Sequence, residues 1–227
     1  MKTPVRGIQD NRILSRNQKI FLEGFIKSDL RTVFRLTGGT ALSAFFLEHR
    51  LSEDLGFFSS EKIAFHAIEP FLKTLPYVEQ FEYTKLFNRN VFILRFKDQS
   101  FVKTEFAYYP LKNLEDAVVV DQLIVDAFLD ILVNKCCAVA DRIDVKDYVD
   151  VYCAIKKSGL AVETLMTLAE KKCEIPGIRH ILKNRLLQIP DGLEKLSLKD
   201  GLQPDEMEAF FRQANKAIVK KEIRREG

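Results

Sequence analysis

The sequence predicts an α+β fold, a mixed sheet with helices over the N-terminal half followed by a C-terminal helical bundle. Three observations predict it. Short runs rich in β-branched and aromatic residues alternate with helical spacing between Val33 and Tyr109. The connections Asn88-Arg89-Asn90 and Asp98-Gln99-Ser100 are polar and of hairpin length. From Asp121 onward the apolar spacing is helical throughout, with breaks near Ile143, Gly159, Pro176, Pro190 and Pro204. At 227 residues, 47% hydrophobic and with 18 Phe, the chain can bury a substantial core. A boundary between Leu111 and Val120 divides it into an α/β domain of residues 1–115 and a helical domain of residues 116–227.

The elements follow in order. Ile20, Phe21, Phe25 and Ile26 mark an amphipathic helix over Asn17–Lys27. Val33–Thr37 is a short strand ended by Gly38-Gly39, and Thr40–Arg50 is a helix with Leu42, Phe45 and Phe46 on its core face. Glu53–Phe58 is extended, and Lys62–Thr74 is a helix stopped by Pro76. Val78–Phe87, Val91–Lys97 and Phe101–Tyr109 are strands.

Composition excludes several classes. No run of about 18 apolar residues is present, so no membrane span is expected. The opening residues carry no apolar stretch of signal-peptide length, which makes a cytoplasmic protein the expectation. Cys136, Cys137, Cys153 and Cys173 contain no C-x-x-C pair and read as buried reduced thiols rather than zinc ligands. Charge is unevenly spread. Between Leu111 and Ile155 nine acidic residues face four basic ones, whereas the tail from Phe211 has six basic against two acidic. With Lys171, Lys172, Arg179, Lys183 and Arg185 upstream, that basic half suits either a nucleic-acid backbone or solvated helix faces.

The chemistry concentrates in FRLTGGTALSAFFLEHRLSEDLGFF, Phe34 to Phe58. Two glycines between strand and helix permit positive φ and close approach of a ligand, and the helix start suits a phosphate. No Lys-Ser/Thr follows at P-loop spacing. On a strand, residues two apart share a face about 7 Å apart, so two aspartates so placed can share a metal pair. Asp54 fills the first place; Gly56 occupies the second. Further along, Lys103, Glu105 and Ala107 share one face of their strand, so Glu105 needs a partner, either Lys103 or a cation shared with Asp54. Lys135 falls on a largely apolar helical stripe with Phe128, Leu132, Val139 and Arg142. Asp147 and Asp150 flank a core stripe of Tyr148, Val151, Tyr152 and Ile155, with Asp144 as N-cap.

The blocks LTGGTAL…HRLSEDLGFF, VKTEF and DILVNKCCAVADRIDVKDYVDVY, in that order over Leu36–Tyr152, resemble the AbiEii/AbiGii toxin family of nucleotidyltransferases, within the DNA polymerase β-like superfamily. The resemblance implies a polymerase-β-like palm plus a helical domain, and transfer of a nucleoside monophosphate from a nucleoside triphosphate to an acceptor hydroxyl. It also implies Mg2+ or Mn2+, a bacterial abortive-infection or toxin–antitoxin setting with a cognate antitoxin, and transfer RNA or another RNA as acceptor. Residue by residue, Gly38, Gly39 and Thr40 would hold triphosphate oxygens, and Ser52 would sit beside the nucleotide. Asp54 matches the first metal-binding aspartate. Glu105 matches the third carboxylate and a base for the acceptor hydroxyl. Lys135 would neutralise triphosphate charge, Asp147 and Asp150 match the second-domain aspartates, and Arg50 matches the family arginine. Gly56 is the departure, standing where the family has an aspartate bridging both metals. The expectation is an impaired transferase, with an inactive nucleotide- or partner-binding module on the same fold as the alternative.

Overall fold

The apolar residues of the first half alternate along its strands, and that alternation decides which face is filled. The computed structural model describes residues 6–199 and 201–226, without the side chains of 225 and 226. The opening residues Met1–Val5, part of the stretch read as lacking a signal segment, lie outside the described residues. The strands are β1 (Arg35–Thr37), β2 (Asp54–Ser59), β3 (Val78–Leu86), β4 (Arg89–Phe96), β5 (Phe101–Tyr108), β6 (Val118–Val120) and β7 (Leu123–Val125). They form one mixed sheet of order β3-β4-β5-β2-β1-β7-β6, in which β2 runs parallel to β5 and β1 parallel to β7. The helices are α1 (Arg16–Phe25), α2 (Gly38–Leu42), α3 (Phe65–Thr74), α4 (Phe128–Asp141), α5 (Val145–Ser158), α6 (Val162–Lys172), α7 (Ile178–Arg185) and α8 (Pro204–Glu226). The chain divides into two compact units, Met1–Ile131 and Leu132–Gly227, with the boundary inside α4. The architecture is α+β, as expected.

In the first unit, Leu55 and Phe57 of β2 and Val102, Thr104 and Phe106 of β5 point to one face and are buried. Phe21 and Phe25 of α1 and Phe71 of α3 meet them there, with Phe25 and Phe57 ring centroids 4.4 Å apart and Phe57 and Phe106 5.0 Å apart. Burying such rings contributes about 2–3 kcal/mol each. α1 starts on a full capping box: Ser15 Oγ accepts from the Gln18 amide, and the Gln18 side chain accepts from the Ser15 amide.

Two expectations are corrected. The helical pattern from Asp121 is interrupted, because Leu123–Val125 is a strand pairing with both β1 and β6. Asp121 and Gln122 take positive φ, 49° and 70°, and close that hairpin. Three residues are too few to show a period. The helix expected over Thr40–Arg50 gives way to a π-turn over Ser43–Leu47 and ends at Glu48, whose φ is 55°. The Ser43 hydroxyl bonds the Arg50 carbonyl and turns the chain back.

The second unit is helical, with Tyr148, Val151, Leu165, Met166 and Phe211 buried. Asp144 caps α5 by accepting from the Lys146 amide, and Gly159 closes it at φ 71°. Cys137 and Cys173 stand side by side, with Cα atoms 6.4 Å apart. Their separation of 36 positions gives sequence reasoning no sign of contact. Cys136 is buried, and burial pushes its thiol up to about 12. The basic residues read as a possible nucleic-acid face are engaged in part: Arg179 pairs with Glu170, Lys183 with Glu222 and Lys221 with Glu163. Among the described residues no helix is long and apolar enough to cross a membrane.

Candidate active site

Strand register assembles the site. In the parallel pair β2–β5, Asp54 stands opposite Lys103 and Gly56 opposite Glu105. Side chains two apart share a face, so these positions form one patch on the side of the sheet away from the phenylalanine core. The Lys103 ammonium lies 3.2 Å from Asp54 Oδ2 and 2.7 Å from Glu105 Oε1, and Arg89 Nη1 lies 3.3 Å from Glu105 Oε2. Lys103 is a partner of Glu105, and it holds Asp54 as well. Burial works against both charges, yet the Glu105 hydrogen bond and the Asp54 charge raise Lys103 above its usual value. In the same way Lys103 and Arg89 outweigh burial at Glu105 and hold its carboxyl low, so it is ionised at neutral pH.

β1 bounds the patch. Thr37 pairs with Gly56, is 2% exposed, and its hydroxyl has no hydrogen-bond partner. A Cβ built on Gly56 would meet only the Thr37 carbonyl oxygen, at 3.6 Å, and Gly56 is absent from the positive-φ glycines. Neither space nor backbone requires glycine there.

The Gly-Gly turn serves two purposes. Gly38 has φ 76°, where a side chain is strained. Gly39 is kept small by a neighbour, because a Cβ there would run into the Arg50 guanidinium. Arg50 is buried, and its Nη1 donates to the Leu51 carbonyl at 3.0 Å. Thr40 is fully buried; its hydroxyl bonds Ser52 Oγ at 2.8 Å and the Asp54 carbonyl. Gly38, Gly39, Thr40, Ser52 and Asp54 are thereby brought together, with Thr40 tying α2 to the start of β2. Gly39→Ala is expected to displace Arg50 and cost about 1–3 kcal/mol, read as a Tm lowered by several degrees. An unchanged Tm would show that Arg50 has room to move.

Lys135, Asp147 and Asp150 come together in the second unit. The Lys135 ammonium lies 2.7 Å from Asp147 Oδ1 and 2.7 Å from Asp150 Oδ2, and both aspartates are fully buried. Arg142 Nε adds a bond of 2.8 Å to Asp147 Oδ2. Burial alone would raise the Asp147 carboxyl, but Lys135 and Arg142 outweigh it and hold it below the usual value. The spacing of three places the aspartates on adjacent rows of α5, and Lys135 answers both charges.

Arg89 and Thr37 escaped sequence reasoning. Arg89 reads as a hairpin residue until antiparallel pairing sets it opposite Ala107, diagonal to Glu105. Thr37 reads as a strand end until its register with Gly56 is known.

The donor set can be tested against the divalent metal that the sequence resemblance implies. Among the described residues no group of three or more His, Cys, Asp or Glu is placed to hold a metal ion. Asp54 and Glu105, on one face of the β2–β5 pair, suit one hard cation completed by water and phosphate oxygens. They do not suit a bridged pair, because position 56, where the resemblance calls for a bridging carboxylate, is glycine.

The family model described as nucleotidyl transferase AbiEii toxin, type IV TA system, matches residues 20–225. Among solved structures, JHP933 from Helicobacter pylori is 18% identical with TM-score 0.60, covering 94% of this chain and 96% of that one. A second H. pylori protein, described provisionally as a nucleotidyltransferase, is 19% identical with TM-score 0.61, covering 92% of this chain and 97% of that one. No curated protein matches the chain. These likenesses extend over both compact units and carry the fold.

Proposed function

The chain belongs to the nucleotidyl transferase AbiEii toxin family of type IV toxin–antitoxin systems, and we propose that it is a metal-dependent nucleotidyltransferase impaired at Gly56. The reaction is in-line attack of an acceptor hydroxyl, on transfer RNA or another RNA, at the α-phosphate of a nucleoside triphosphate, with pyrophosphate leaving. A bacterial cytoplasm, where Cys137 and Cys173 would be held reduced, and a cognate antitoxin complete the reading. The observation that carries it is the parallel β2–β5 register, which sets Asp54 and Glu105 on one open face with Gly56 between Glu105 and Thr37.

The roles follow from the contacts. Gly38 and Gly39 let triphosphate oxygens approach the backbone, while Thr40 and Ser52 hold the turn against β2. Asp54 and Glu105 would hold one Mg2+ or Mn2+, which when bound would offset charge on the triphosphate. Glu105, kept ionised by Lys103 and Arg89, is more counter-charge than base in the resting site, because a depressed pKa lowers its basicity. Lys103 must swing off one carboxylate when a cation enters. Within the second unit, Asp147 and Asp150 act as positioning residues that fix the Lys135 ammonium. Positioning and electrostatics carry most of the rate.

The test incubates the chain and an Asp54→Asn variant with each labelled nucleoside triphosphate, Mn2+ and total RNA, and measures nucleotide binding in parallel. The expected result is nucleotide binding with weak labelling, lost entirely on Asp54→Asn. Binding with no labelling, even after a carboxylate is placed at position 56, would leave a nucleotide-binding module. Neither binding nor labelling would sink the enzymatic reading.

A further inference from the structure

A cleft in the first unit, on the core-facing side of β4 and β5, has the chemistry of a nucleotide site. It encloses about 420 Å3 and is floored by Phe34 and Phe106. Volumes of this order accommodate a small ligand. Its rim carries Lys62, Lys85, Phe87, Asn88 and Tyr108, with Glu61 the one acidic residue lining it. The polar groups are fixed. Asn90, 3% exposed, donates to the Ile63 carbonyl at 2.9 Å, while its Oδ1 accepts from Tyr83 at 3.0 Å and from the Lys85 ammonium at 3.2 Å. The Lys62 ammonium stands 5.2 Å from the Tyr108 ring centroid. Two cations are therefore held at set places beside the cavity.

The hairpin tip supplies the second observation. Phe87 is 98% exposed and has φ 46°. A bulky residue in the left-handed region costs about 1–2 kcal/mol, and a two-residue hairpin connection ordinarily takes Gly or Asn there. An aromatic ring kept at a strained, fully solvated tip gains nothing in the folded chain itself. It gains when something stacks on it. Leu86, 48% exposed, flanks it. Next along the chain, Arg89 reaches Glu105, so the tip adjoins the carboxylate patch.

We propose that this cleft and the Phe87 tip bind a single-stranded polynucleotide, one base stacking on Phe87 and adjacent phosphates lying on Lys62 and Lys85. Aromatic faces beside cations recognise an anionic chain of bases with little sequence preference. A strand suits the site better than a free nucleotide because the Phe87 ring, on the rim, is 98% exposed and the cations border the cavity, which spreads the contacts over more than one nucleotide.

Binding is measured without nucleoside triphosphate, so it stands or fails separately from transfer. The full chain is titrated into fluorescein-labelled 12-mers of uridine and of thymidine, with UMP as a third arm. Both 12-mers are expected to bind, with Phe87→Ser weakening them ~10-fold and Phe87→Tyr retaining affinity. Lys62→Gln with Lys85→Gln is expected to reduce the slope of log affinity against log salt by about 1.4, two phosphate contacts on a single strand. Failure of both 12-mers to bind, or binding that none of these substitutions changes, overturns the proposal. UMP binding as tightly as the 12-mers would also overturn it, leaving a free-nucleotide site.

Discussion

Gly56→Asp is expected to raise nucleotidyl transfer by about 1,000-fold over the chain as it stands. The figure corresponds to about 4 kcal/mol of transition-state stabilisation, the scale of a bridging carboxylate in a metal-assisted phosphoryl site. The structure has room for the change: Gly56 has no positive φ, and a new Cβ would touch only the Thr37 carbonyl oxygen at 3.6 Å. Pairing with Thr37 and Glu105 places the new carboxylate beside an unpartnered hydroxyl and on the face of Asp54. Three carboxylates around Lys103 repel one another, so the variant should be less stable without metal and gain more from it. Ligand linkage stabilises by RT ln(1 + [L]/Kd), about 2.7 kcal/mol at a concentration of 100 Kd. Two readouts check this: Tm with and without Mg2+, and transfer of labelled nucleotide to RNA. A variant that is folded, shows no larger Mg2+-dependent rise in Tm than the parent, and transfers nothing would show that Gly56 is not what limits this chain.

Lys135→Met should cost about 3–5 kcal/mol, because it removes an ammonium shared by two fully buried carboxylates. Asp147 retains Arg142, so the loss falls short of an isolated buried charge. The pH dependence has a definite sign. With its folded pKa depressed, Asp147 contributes stability above its unfolded value near 4, and this is lost as pH falls through the lower folded value. Without Lys135 the Asp147 carboxyl loses its largest lowering influence, so it binds protons more tightly in the folded variant than in the parent. The deficit of the variant should therefore shrink as pH falls from 7 to 5. Urea unfolding at the two pH values measures it. Adding Asp147→Asn and Asp150→Asn to Lys135→Met should recover much of the loss. A deficit that ignores pH and is not recovered would mean that Lys135 acts by packing.

The legibility of the chain follows the range of the interactions. Strands β3 to β5, the capping box at Ser15 and the stop at Gly159 are local, and neighbouring residues are enough to specify them. Strand β7 was illegible because three residues show no period and it exists only by pairing with β1 and β6. In the candidate site, the likeness of three sequence blocks picked out Asp54, Glu105 and Lys135 as residues. It could not show that Lys103 bridges Asp54 and Glu105, because parallel register is a property of two strands far apart in the chain. Cys137 and Cys173 meet for the same non-local reason.

By itself the sequence determined the α+β architecture, the glycine turn, the residues available for chemistry and a glycine at position 56, where the resemblance leads one to expect aspartate. These depend on residue type and short spacing, which the chain carries openly. Tertiary structure alone decided that Gly39 is small to clear Arg50, that Gly56 lies in register with both Glu105 and Thr37, and that Lys103 and Lys135 each neutralise a pair of carboxylates. Each of those depends on distances across strands or helices. Steric contacts act over a few ångströms and charge pairs are screened over about 8–10 Å, so only the folded chain sets them.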